Sequence, residues 1–190
     1  MDRSLAASGD VCRCVAEIQM GTTFVTITKG TTGDEPGFWM TDGMLSLWLR
    51  LLALHLPEPN DLGEHAATPE IRNRWLLASA VYFGGCVPHE MEFAVASPER
   101  QVVVRTAIDS LMAVLEVSDA PLSADTINLL GIEGRDFVDI DRAHLKDIAN
   151  AFLDLLDGHI ESTARSTEIM PGSKPYRRDR DRTKRSTCEP

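Results

Sequence analysis

The stretch from Thr68 to Pro88 carries the clearest helical pattern of apolar and polar positions in the chain. Its apolar residues recur every three or four positions and define one broad face: Ile71, Trp75, Leu77, Ala78, Val81 and Tyr82. Thr68 can cap the first free N–H groups, Pro69 suits the first helical position, and the Gly84–Gly85 pair can end the helix. The pattern predicts a helix over about residues 69–84, which we interpret as the central helix against which its neighbours pack.

Four further segments show the same periodicity, and each begins at or just after a residue that can cap a helix. They predict helices over about residues 44–56 after Asp42, 98–118 after Ser97, 124–130 after Ser123, and 141–158 from Asp141. The first of them is apolar on two faces and therefore needs contacts on two sides. The HEMEFAVA segment after Pro88 alternates only briefly, and we interpret it as a loop rather than a strand.

Residues 1–39 differ from the helical part of the chain in their pattern of apolar and polar residues. VCRCVAEI and TTFVTIT are strand-like, and the Met20–Gly21 pair between them could turn a β-hairpin. Such a hairpin is marginal alone and would have to dock on the helices. A second interpretation is that Met40 or Met44 is the native start and that the preceding residues are an upstream extension.

These patterns together predict a mainly α protein with about five helices in one bundle-like domain, with a small N-terminal β-hairpin added. We divide the chain into an N-terminal extension at 1–39, a helical domain at 40–161 and a basic tail at 162–190. The tail has few apolar residues and mixed charge, a composition that predicts disorder because it cannot offset chain entropy.

The net charge of −10 is unevenly distributed between residues 1–164, here called the body, and residues 165–190, which make up most of the tail. Residues 1–164 hold 11 basic and 25 acidic residues, a balance of −14, whereas residues 165–190 hold 8 and 4, a balance of +4. The acidic body disfavours nucleic-acid binding and favours a cationic partner, although it could simply keep the protein in solution. The tail could touch nucleic acid, but its interleaved aspartates disfavour this, and it could equally contact the acidic body of its own chain.

No run of 18 apolar residues exists, and the first residues lack a secretory pattern, so we expect no membrane span and a cytoplasmic, bacterial protein. The four cysteines, at positions 12, 14, 86 and 188, indicate neither a disulfide framework nor a zinc site.

Motifs of the common enzyme classes are absent from the sequence: those for phosphate, dinucleotide and zinc-protease chemistry and for serine hydrolysis. The best nucleophile candidate is Cys86, with His89 three residues later. No third group that could orient the histidine is visible, so we interpret Cys86 as a small buried residue at a helix end. We therefore predict no catalytic residue, no metal site and no cofactor.

A small, acidic, single-domain chain without motifs resembles the immunity proteins of bacterial toxin systems, over about Met44 to Glu161. The resemblance implies a non-enzymatic protein that occludes a toxin with a basic surface. Acidic residues on predicted polar faces or loops are the candidate contacts: Glu90, Glu92, Asp154 and Asp157.

Two other hypotheses remain open. One is a small-molecule-binding or enzymatic bundle with a pocket near Trp75, Tyr82 and His144, for which convergent polar groups in a deep pocket would be the sign. The other is a subunit of a larger assembly, for which an exposed apolar helix face would be the sign.

Overall fold

The computed structural model describes residues 21–28, 35–60, 65–80, 86–132 and 137–160. Within these ranges the chain forms a two-stranded antiparallel sheet and six helices, so the predicted mainly α fold with a small N-terminal hairpin is confirmed. In chain order the elements are β1 (Thr22–Thr26), β2 (Gly37–Thr41), α1 (Asp42–His55), α2 (Thr68–Ala80), α3 (Met91–Ala94), α4 (Pro98–Glu116), α5 (Ala124–Asn128) and α6 (Arg142–Leu156). None of these helices is long and apolar enough to cross a membrane.

The hairpin uses a different partner strand from the one suggested by the sequence. TTFVT forms β1 as predicted, but it pairs with GFWMT, in a register that sets Phe24 opposite Trp39. The predicted first strand and the Met20 of the predicted turn lie outside the described residues. The signal of β2 is only five residues long and runs directly into the helical pattern of α1, which is why periodicity alone did not separate the two.

The hairpin contributes to the core of the helical domain. Val25, Phe38 and Met40 are fully buried or nearly so, and β2 crosses the boundary that we placed between residues 39 and 40. The rings of Phe38 and Phe152 meet edge to face at 5.2 Å, and Trp48 lies 5.4 Å from the same Phe152 ring. These rings join the hairpin, α1 and α6, so a chain that began at Met44 would lack part of its core.

Helix α1, rather than α2, is the central helix. It contacts α2, α4 and both strands, whereas α2 contributes one buried stripe centred on Ile71, Trp75 and Ala78. The prediction that Leu77 widens that stripe is wrong, because its side chain is 65% exposed. Leu77 lies two residues from Trp75, and two helical steps of about 100° carry it to the far side of the helix.

Three of the predicted helix starts are confirmed by side-chain caps. Ser97, Ser123 and Asp141 each accept a hydrogen bond from a backbone N–H in the first turn of α4, α5 and α6, respectively. Thr68 does not cap α2: it is the first residue of that helix, and its buried hydroxyl has no hydrogen-bond partner among the described residues.

The segment that we interpreted as a loop contains α3, a single helical turn with Met91 and Ala94 buried. Four residues are too few to show a helical period, so the pattern could not reveal it.

Helices α4 and α6 run antiparallel to each other. Arg142, at the start of α6, donates to the Val114 carbonyl near the end of α4. Asp157, just after α6, pairs with Arg105 in the first half of α4. The end of α6 therefore lies beside the first half of α4.

Gly37 permits the close approach of the two strands. A β-carbon at this position would lie 2.6 Å from the Phe24 ring and closer still to the Val25 carbonyl oxygen, which the backbone cannot easily move. We expect Gly37→Ala to lower the free energy of unfolding by about 1–3 kcal/mol, as overpacking typically does. Urea denaturation would measure this loss, and an unchanged midpoint would contradict the strand pairing.

Candidate functional site

A groove of about 550 Å³ opens between the hairpin and the segment that leads into α3. Its lining residues come from β1, β2, the connection before α3, and α3 itself: Thr22, Thr23, Phe24, Trp39, Cys86, Val87, Pro88, His89, Glu90 and Glu92. The groove thus combines aromatic rings and carboxylates that lie far apart in the sequence.

A buried chain of hydrogen bonds fixes the base of the groove. The Val87 N–H donates to Thr23 Oγ1 at 2.8 Å, and the Thr23 hydroxyl donates to Asp42 Oδ1, also at 2.8 Å. Asp42 is only 3% exposed and lies in the first turn of α1, where the helix dipole favours a negative charge. The two hydrogen bonds thereby link the connection before α3, β1 and α1 in series.

The prediction of Asp42 as the cap of α1 is therefore wrong in its detail. Thr41 is the N-cap residue and makes no side-chain cap bond, while the Asp42 carboxylate accepts from the hairpin. A long-range acceptor role of this kind has no signature in the local sequence.

His89 connects three elements around the groove. Its Nδ1 accepts from the Met91 N–H at 3.1 Å, so the ring proton lies on Nε2 and is donated to the Phe24 carbonyl at 3.1 Å. The His89 carbonyl accepts from the Trp75 indole N–H, also at 3.1 Å. The neutral ring thus links β1 to α3, and its backbone links both to α2.

These hydrogen bonds exclude His89 as the base that would activate Cys86. Both ring nitrogens of His89 are engaged, so neither can take a proton from Cys86, which is exposed at the groove. No group of three or more His, Cys, Asp or Glu side chains within the described ranges could hold a metal ion. The expectation that Cys86 is buried is wrong.

Burial lowers the pKa of His89 below its ordinary value of 6.5. The negative charge of Glu92, the hydrogen bond to Phe24 and the charge of Glu90 oppose this shift but do not reverse it. The fold therefore favours the neutral ring that its two hydrogen bonds require.

Glu90 belongs to a network of charges behind the groove. Its carboxylate pairs with Arg74 at 2.9 Å, and Glu70 bridges Arg74 and Arg100 at 3.3 Å each. The two guanidinium groups stack against the Phe93 ring, at 3.7 and 3.9 Å from its centre. The network ties α2, α3 and α4 together and neutralises both arginines.

Glu92 differs from Glu90 because it forms no ion pair with any basic residue in the described part of the chain. It shares the groove with the rings of Phe24 and Trp39, whose centres lie 5.3 Å apart. Trp39 is 46% exposed. An accessible indole and a carboxylate in one groove offer the two features that attract an organic cation.

The structure brings together only two of the four predicted contact residues, Glu90 and Glu92. Asp157 pairs with Arg105, and Asp154 lies 3.3 Å from the ring of His159 at the end of α6. Neither aspartate lines the groove.

The residues proposed for an alternative pocket are differently placed. Trp75 is fully buried with its N–H bonded to His89, and His144 is exposed near the start of α6. Neither lines the groove, and Tyr82 lies outside the described residues. The aromatic pair of Phe24 and Trp39, which the sequence reasoning missed, forms the wall of the groove instead.

Comparison of the chain with protein-family models, curated proteins and solved structures finds no significant match. Any functional conclusion therefore depends on the groove itself.

The lowered pKa of His89 predicts a pH-dependent stability. Unfolding allows His89 to bind a proton near pH 6.5, while the folded ring stays neutral, so the free energy of unfolding should fall as pH drops below about 6.5. The fall should level off once the pH passes the folded pKa. Urea titrations between about pH 7.5 and 5 would measure this dependence.

His89→Gln should remove the share of that slope that belongs to His89. A further share should remain, because burial also lowers the pKa of His55. Identical slopes in the wild type and His89→Gln would show that His89 is not held neutral.

The Thr23 hydroxyl should contribute more to the free energy of unfolding than the Thr23 methyl group does. Thr23→Val keeps the shape of the side chain but leaves the Val87 N–H and the Asp42 carboxylate without this partner. We expect a loss of about 1–3 kcal/mol for each unpaired group, measured by urea denaturation. Thr23→Ser keeps the hydroxyl and should lose clearly less; equal losses would contradict the hydrogen-bond chain.

Proposed function

We propose that this protein is a non-enzymatic binding protein that occludes a protein partner with a basic surface, as an immunity protein occludes a bacterial toxin. The observation that carries the proposal is the groove in which the Glu92 carboxylate, which forms no ion pair with a described residue, and the exposed Trp39 indole lie together. Aromatic side chains in partly enclosed sites are typical energetic centres of protein interfaces, and a carboxylate beside one selects a basic partner.

The charge of the chain supports the same kind of partner. The net charge of −10 attracts a basic protein at a distance and raises its rate of association. Asp154 and Asp157 lie at the end of α6, beside the first half of α4, and Arg100 in the first turn of α4 bonds to α3. The two aspartates add acidic side chains at the end of α6, outside the groove. The proposed site of action is the cytoplasm.

A second candidate is the binding of a small organic cation. The groove, at about 550 Å³, falls within the range of about 300–1,000 Å³ that is typical of ligand pockets. A small cationic ligand would use the same carboxylate and indole, but it would not need the acidic surface beyond the groove.

The proposal predicts that reversal of one charge in the groove weakens partner binding. Affinity capture from the native host should recover a basic protein with the wild type, and Glu92→Lys should reduce its affinity about tenfold or more. Trp39→Ala should cause a comparable loss, because it removes the aromatic anchor.

Glu116→Lys is the matched control, since Glu116 is an exposed acid near the end of α4, away from the groove. It makes the same change in net charge and should bind nearly as well as the wild type. Co-expression with the captured protein, if that protein is toxic, should restore growth with the wild type and not with Glu92→Lys. Binding that is indifferent to both groove variants would refute the proposal.

A further inference from the structure

The C-terminal residues carry a net positive charge, whereas the charged residues of the groove are glutamates. Residues 165–190 hold 8 basic and 4 acidic residues, and the stretch KPYRRDRDRTKR at 174–185 holds most of the basic ones. This stretch also holds five arginines, the residue type that stacks best on an aromatic face while pairing with a carboxylate.

The described chain ends beside a helix that contacts one wall of the groove. The described structure ends at Ile160, just after α6, and Asp157 pairs there with Arg105 of α4. One turn earlier in α4, Arg100 donates to the Phe93 carbonyl of α3 at 2.9 Å, and α3 carries Glu92. The described chain thus ends beside the half of α4 that contacts α3.

The connecting length is sufficient. Residues 161–173 separate Ile160 from the basic stretch, and 13 residues can extend about 40 Å, which is more than the diameter of a small domain. Because the segment and the groove belong to one chain, the effective concentration of the segment at the groove is high, about millimolar for a short flexible connection. Even a weak contact can therefore be populated.

The groove offers no charge that would repel an arginine. Among the described residues, its lining includes two glutamates and no lysine or arginine, and His89 is held neutral by its hydrogen bonds. Within the described part of the chain, Arg74 and Arg100 lie behind the groove and are paired with Glu70 and Glu90.

We propose that the basic segment at 165–190 docks into the groove of its own chain, with arginine side chains against Glu92 and the Trp39 ring. The segment then competes with a basic partner for the same site, and this part of the inference rests on the proposed function. The partner must displace the segment, so binding selects partners whose basic surface fits the groove better than the chain's own arginines do.

The fluorescence of Trp39 in the full chain can report this contact. Trp48 and Trp75 are fully buried, so a neutral quencher such as acrylamide acts mainly on Trp39. A variant with Arg177, Arg178, Arg180 and Arg182 changed to glutamine leaves the described domain untouched. We expect its quenching constant at low salt to exceed that of the wild type about twofold, and the difference to disappear near 0.5 M salt, where charge pairs are screened.

Two groove variants locate the contact. Glu92→Gln should raise the quenching constant of the wild-type chain as the tail variant does, whereas Glu116→Gln should not. Trp39→Phe should abolish the salt-dependent part of the quenching, which shows that Trp39 provides the signal.

A synthetic peptide of residues 174–185 separates the two proposals. Added to the tail variant, in which four arginines are changed to glutamine, it should protect Trp39 from acrylamide. Equal quenching of the wild type and the tail variant at low salt would overturn the self-docking. If the peptide still protected Trp39 in that case, the groove would remain a site for basic segments and the proposed function would stand; if it did not, both proposals would lose their basis in the groove.

Discussion

Helix α1 carries apolar side chains around most of its circumference, so no single neighbour can cover it. Leu45, Trp48, Leu49 and Leu52 form one face and Leu47 another, and all of them are fully buried. Their burial requires α2 and α4 on two sides and the hairpin on a third. The hairpin in turn could not persist alone, because two strands do not bury enough surface. The position of the groove follows, since it forms where the hairpin meets the segment that leads into α3.

The helices could be predicted from the sequence because their signals are local. Periodic apolar positions and the caps at Ser97, Ser123 and Asp141 lie within a few residues of the backbone that they organise. The partner of β1 could not be predicted in this way, because strand pairing is decided by contacts across a connection. The choice of α2 as the central helix failed for a related reason: strong start and stop signals describe a helix, not the number of its neighbours.

The groove was less predictable than the fold. Glu90 and Glu92 were selected only as acidic residues in a polar segment, and nothing in the sequence links them to Trp39 or Phe24. The role of His89 depends on a carbonyl 65 residues away, and its motif-like spacing from Cys86 pointed towards chemistry that its hydrogen bonds preclude. In the sequence alone, a polar residue that forms a structural hydrogen bond to a distant part of the chain cannot be distinguished from a catalytic candidate.

The hydrogen bonds at the base of the groove also bear on the order in which the chain folds. The bond from Val87 to Thr23 spans 64 residues and the bond from His89 to Phe24 spans 65, so both must wait until α1 and α2 have closed the intervening loop. Helix formation and the pairing of α1 with α2 need much shorter closures. The groove should accordingly be completed late in folding, and its amides should exchange with solvent through partial opening before those of α1 do. The surface that we propose for recognition thus forms only in chains whose core is already assembled.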